Sequence, residues 1–113
     1  MPTFRYRKQV VVGDDEEVIL EIKLPDAGST SYHFIDVPGP IDRERTGEVD
    51  EIIGTGSELK AERTVIHSSP INVNPNMDDI RQEIYINGVQ IVDHINLKNV
   101  DQTPLVITTI VFI

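Results

Sequence analysis

Few residues in this 113-residue chain have a type and spacing that could do chemistry, and each group points to a different chemistry. Asn72, Asn74, Asn76 and Asp78, running on to Glu83, put side-chain oxygens at alternate positions and an acid at the twelfth. That is the spacing of a twelve-residue calcium loop. Its first position is Asn rather than Asp, Met77 stands where such a loop turns on Gly, and Pro75 stiffens the middle. Asn, Pro and Asp are also ordinary turn residues. Asp14, Asp15, Glu16 and Glu17 crowd four carboxylates into one strand connection. Loops at one end of a domain could gather them with Asp42, Glu48, Asp50 or Asp78 around a hard cation. The candidate metal ligands are therefore Asp14, Asp15, Asn74, Asn76 and Asp78, with Ca²⁺ as the ion and otherwise no cofactor.

The three histidines, His33, His67 and His94, could form a metal triad, or one could act as base to Ser57, Ser68 or Ser69. Their spacing demands neither, and each falls in or beside a predicted strand. Gly54-Thr-Gly56 begins like a dinucleotide fingerprint but has Leu59 where the third Gly belongs. Ser57-x-x-Lys60 matches a nucleophile motif whose partner motifs are missing. No catalytic constellation results, and the chain reads as non-enzymatic. Tyr85, opposite Gln90 in a predicted hairpin, is the best candidate for stacking on a sugar, giving Tyr85 and Gln90 as candidate ligand-binding residues.

Composition narrows the field further. With no Cys, disulfides, Cys-ligated zinc, iron–sulfur clusters and thiol catalysis all drop out. No Trp and three each of Phe and Tyr imply an aliphatic core. A net charge of -9 argues against a nucleic-acid partner, which needs a basic face. The charge is uneven: residues 1–12 hold Arg5, Arg7 and Lys8 with no acid, while 13–62 hold fourteen acids against four bases. No run is long and apolar enough for a membrane span, and no secretory leader is visible, which favours a cytoplasmic location.

These groups must be positioned by strands, because apolar residues recur at every second position. Phe4, Tyr6, Val10 and Val12 share one side of a first strand, with Arg5 and Arg7 on the other and Lys8 breaking the apolar row. Val18, Leu20, Ile22 and Leu24 alternate cleanly in a second. A third covers about Tyr32–Val37, ended by Pro38-Gly39-Pro40. An irregular acidic loop follows at about 41–60, with a short strand at Val49–Ile53 to relieve its length. Strands return at Glu62–Ser68, and a single helical turn is expected around Met77–Gln82. Asn87-Gly88 between alternating runs marks a type I′ hairpin, pairing Ile86 with Val89, Ile84 with Ile91 and Tyr85 with Gln90. The final strand, Leu105–Ile113, is apolar on both sides: Leu105, Ile107, Val111 and Ile113 against Val106, Ile110 and Phe112.

The expected fold is all-β: a single domain over residues 1–113, a two-sheet antiparallel β-sandwich of about seven to eight strands with Ig-like or jelly-roll topology. A small closed barrel is the alternative. One side of the last strand is left to face a partner, so Arg5, Arg7, Val106, Ile110 and Phe112 are the expected interface. The function these features suggest is interaction or assembly, through a protein partner or a homo-oligomer. The alternative is a sandwich that binds Ca²⁺, and with it a glycan, through acidic end loops.

Overall fold

Alternation of inward aliphatic and outward polar residues builds two facing sheets. The computed structural model describes residues 3–40 and 42–113; Met1, Pro2 and Ile41 lie outside the described residues, Ile41 being the start of the expected acidic loop. In chain order the elements are β1 (Thr3–Val10), β2 (Glu17–Lys23), β3 (Ser29–Asp36), β4 (Arg43–Thr46), β5 (Val49–Thr55), α1 (Gly56–Leu59), β6 (Thr64–Asn72), β7 (Asp79–Ile86), β8 (Val89–Leu97) and β9 (Leu105–Phe112). One sheet has the order β1-β9-β6-β3-β4 and the other β5-β2-β7-β8. This is the two-sheet β-sandwich the alternation predicts, with nine strands among the described residues rather than seven or eight. One pairing is not antiparallel. β1 runs parallel to β9, from Thr3 opposite Leu105 to Val10 opposite Phe112.

The segment read as an irregular acidic loop is structured. Its β4, Arg-Glu-Arg-Thr, has no apolar alternation to reveal it; it is held as an edge strand by its ladder to β3. Arg43 and Arg45 then reach across to Glu51 of β5, at 3.2 and 2.9 Å. The one turn of α1 carries a capping box. Thr55 N–H donates to Glu58 Oε1 at 2.9 Å, and Glu58 N–H donates to Thr55 Oγ1 at 3.4 Å. Gly56 is required because a Cβ there would run into the Gly13 carbonyl oxygen. The Gly-Thr-Gly motif is thus a packing device between α1 and the β1–β2 turn. No helical turn forms at Met77–Gln82, since Asp79–Gln82 already belongs to β7.

Asn87 and Gly88 form the expected turn, both at positive φ (48° and 79°). Tyr85 pairs with Gln90 and Ile86 with Val89, but a bulge beyond Tyr85 pairs Ile84 with Val92 instead of Ile91. The extra residue returns Val92 to the inward row. Asn87 also clamps β2: it donates its N–H to the Ile19 carbonyl at 3.0 Å and accepts from Ile19 N–H at 2.7 Å.

The interior divides along the strands. Towards the β1–β2 turn it is aliphatic, with Val18, Leu20, Ile22, Ile84 and Ile110 fully buried and Phe112 packed among them. Towards the other end the inward positions turn polar: Ser31, His33, Ser68, Gln82, His94, Asn96 and Thr108 are all buried. Val106, Ile110 and Phe112, expected at an interface, are inside, at 0, 0 and 3% exposure. The opposite row of β9 holds more aliphatic residues, yet it is the row with Thr108 that faces inward.

Candidate functional site

Because side chains alternate along each strand, the outer face of the five-stranded sheet is fixed once the inner rows are known. Arg5 and Arg7 of β1, Ile107, Thr109 and Val111 of β9, Val65 and His67 of β6 and Asp36 of β3 all point outward. Together with Glu62 and Arg63 they line an open groove of about 880 Å³. Pairing sets their order across the sheet: Arg5 beside Ile107, then His67, then Phe34; Arg7 beside Thr109, then Val65, then Asp36. Phe34 meets the His67 ring edge-on, with centroids 6.2 Å apart. The floor is half-buried aliphatic surface, and the rim carries three guanidiniums together with Glu62 and, at the far side, Asp36. There the neighbouring Asp42 carboxyl is held above its usual value, first by desolvation and then by a hydrogen bond to Asp36.

Among the described residues, most of the cations without an acidic partner line the groove. Elsewhere the cations are engaged: Lys23 with Glu21, Arg43 and Arg45 with Glu51, Lys60 with Asp14, and Arg81 with Glu83 and Asp93. Lys98 donates to the carbonyls of Asn74 and Met77 at 2.8 and 3.2 Å. The remaining four of the ten are Arg5, Arg7, Lys8 and Arg63. Among the described residues their side chains have no carboxylate within 4.0 Å, and three of the four line the groove.

The five candidate metal ligands are not brought together. Asp14 and Asp15 lie at the β1–β2 turn, whereas Asn74, Asn76 and Asp78 lie in the β6–β7 loop at the other end of a molecule 45 Å long. Asp14 Oδ1 accepts from Lys60 Nζ at 2.7 Å. In the loop, Asn72 Oδ1 accepts from Asn74 N–H and Asn74 Oδ1 from Asn76 N–H, so the amide oxygens serve the turn itself. The Lys98 ammonium already sits on the loop carbonyls. Among the described residues no three His, Asp or Glu side chains are grouped to hold an ion. Lys98 is the residue that sequence reasoning missed here, and nothing in its local pattern announces it.

Tyr85 and Gln90 do face each other on the outer side of the four-stranded sheet. The ring is not an open platform: Lys23 Nζ stands 4.6 Å over its centroid and the hydroxyl donates to Glu83 Oε1 at 3.2 Å. Desolvation first, and that hydrogen bond second, raise the Tyr85 phenol above its usual value.

Two histidines are internal. His33 Nε2 lies 2.9 Å from the Gly47 carbonyl and must donate to it, so Nδ1 accepts from Ser68 Oγ at 2.7 Å. This Ser–His pair is sealed from solvent, each residue at 0% exposure. His94 Nε2 donates to Asn96 Oδ1 at 2.7 Å, because the Asn96 amide nitrogen is committed to the Leu97 and Asp101 carbonyls. His94 Nδ1 then accepts from Tyr6 O–H at 2.7 Å. Burial lowers both imidazoles below their ordinary value, and it raises the Tyr6 phenol, keeping it a donor. Both rings are neutral cross-ties between strands.

Set against protein families, curated proteins and solved structures, the chain matches none. Among the described residues no helix is long and apolar enough to cross a membrane.

Proposed function

We propose that the chain is a non-enzymatic protein-interaction module whose working surface is the outer face of the five-stranded sheet, and that it takes an acidic segment of a protein partner there. One observation carries this reading: in a chain of net charge -9, the guanidiniums of Arg5, Arg7 and Arg63 line one groove with no carboxylate paired to them among the described residues. Guanidiniums select carboxylates by paired, charge-assisted hydrogen bonds. Ile107, Val65 and Val111 add the apolar floor that such a contact needs at its centre. Arg5 and Arg7 keep their expected interface role, while Val106, Ile110 and Phe112 have none.

A second copy would have to offer its own acidic turn. Asp14 there is tied to Lys60 and Glu16 to Asn87, at 2.7 and 2.6 Å, which favours a different protein.

Titration with a Glu-rich peptide tests the reading. The triple variant Arg5→Glu/Arg7→Glu/Arg63→Glu should lose binding by more than about tenfold, and raising salt to about 0.5 M should weaken the wild type. A folded triple variant that binds as well as wild type would sink the proposal.

A further inference from the structure

Beside the groove, β1 is an edge strand with β9 on one flank and nothing on the other among the described residues. The other edge of the same sheet is different. β4 is only four residues long, and Arg43 and Arg45 pin it to Glu51, with Arg43 also donating to the Ile52 carbonyl at 2.8 Å. That edge is blunted in the ways sheets usually blunt edges. β1 keeps eight residues of open ladder, and its one interruption is Lys8, a charge on the inward row near its end.

We infer that the partner segment binds by adding a strand to β1, and that its carboxylates stand two residues apart. The inference rests on the reading of the groove above and deepens it. Arg5 and Arg7 are themselves two residues apart and face the groove. An incoming extended segment, running in either direction, puts every second side chain on that same face. A Glu or Asp at alternate positions then stands beside each guanidinium as a cross-strand pair, while the backbone satisfies the open edge of β1. Charge complementarity chooses β1 over the two edges of the second sheet, β8, whose outward row holds Gln90, Asp93, Ile95 and Leu97, and β5, which carries Asp50 and Glu51. One eight-residue strand makes a small interface, so the complex is a weak, reversible one.

Four capped eight-residue peptides separate the cases: one with Glu alternating with Thr, one of the same composition with its Glu residues consecutive, and two versions of the first N-methylated at either the Glu or the Thr amides. In an added strand only alternate amides face β1. One N-methylated peptide should therefore bind like the parent and the other at least about tenfold more weakly, with amide-proton shifts in β1 on binding. The consecutive-Glu peptide should also be at least about tenfold weaker than the alternating one, having half its acids on the wrong face. If both N-methylated peptides match the parent, strand addition is overturned and the groove reading stands. If no peptide distinguishes wild type from Arg5→Glu/Arg7→Glu, both fall. A mass that rises with protein concentration in the absence of peptide, and is reversed by that double variant, would replace the foreign partner with a second copy.

Discussion

The two halves of the sandwich interior are equally sealed and differently made. In the half that contains the β1–β2 turn, Val18, Leu20 and Ile22 pack aliphatic against aliphatic at 0% exposure. At the same exposure, the far half holds His33, Gln82, His94 and Thr108. Most of these polar groups are tied, but the Gln82 amide and the Thr108 hydroxyl have no protein partner among the described residues. Burial alone therefore does not measure stabilisation in this protein. In one half, burial removes apolar surface from water; in the other it supports the fold only as far as hydrogen bonds are completed.

Substitutions can break this comparison or sharpen it. Ile22→Ala in the apolar half should cost about 2–5 kcal/mol in urea unfolding, through lost transfer energy and a cavity. Asn96→Leu in the polar half should cost about 1–3 kcal/mol, because His94 Nε2–H and two carbonyls lose their partner together. Acidification acts through the polar half. The folded-state pKa values of His33 and His94 lie below the usual 6.5, so the unfolded chain takes up protons first. Their contribution is full above 6.5 and is lost as pH falls through the window below it, and a His33→Gln/His94→Gln variant should lack that part of the slope in pH-dependent melts. Gln82→Met should have the smallest effect and the opposite sign, being neutral or stabilising by about 1 kcal/mol, since it removes an unpaired amide at nearly constant volume. A large loss from Gln82→Met would show that the amide is bonded after all, by buried water.

The apolar half was legible in the sequence and the polar half was not. Val18, Leu20 and Ile22 announce their strand and its inward side, and Asn87-Gly88 announces the hairpin. His33, Ser68, His94, Asn96 and Thr108 also sit at inward positions, but their types say solvent. The pattern therefore starts the third strand at Tyr32 where the structure starts it at Ser29, and it puts Val106, Ile110 and Phe112 outward where the structure buries them. In the groove, Arg5 and Arg7 could be placed on one side of β1 by alternation alone. Their meeting with Arg63 and His67 could not, because it depends on β9 lying between β1 and β6. The five candidate metal ligands fall into two groups for a related reason: spacing along the chain carries no information about which end of the sandwich each loop occupies.

The parallel β1–β9 pair has a mechanical meaning. With β1 and β9 side by side and pointing the same way, tension applied between Thr3 and Phe112 pulls the two strands past each other along their length. The hydrogen bonds of that ladder then carry the load together, instead of opening one after another like a zip. Stretched from these two points, the fold resists as a shear clamp, and an antiparallel hairpin such as β7–β8, pulled apart at its open end, does not.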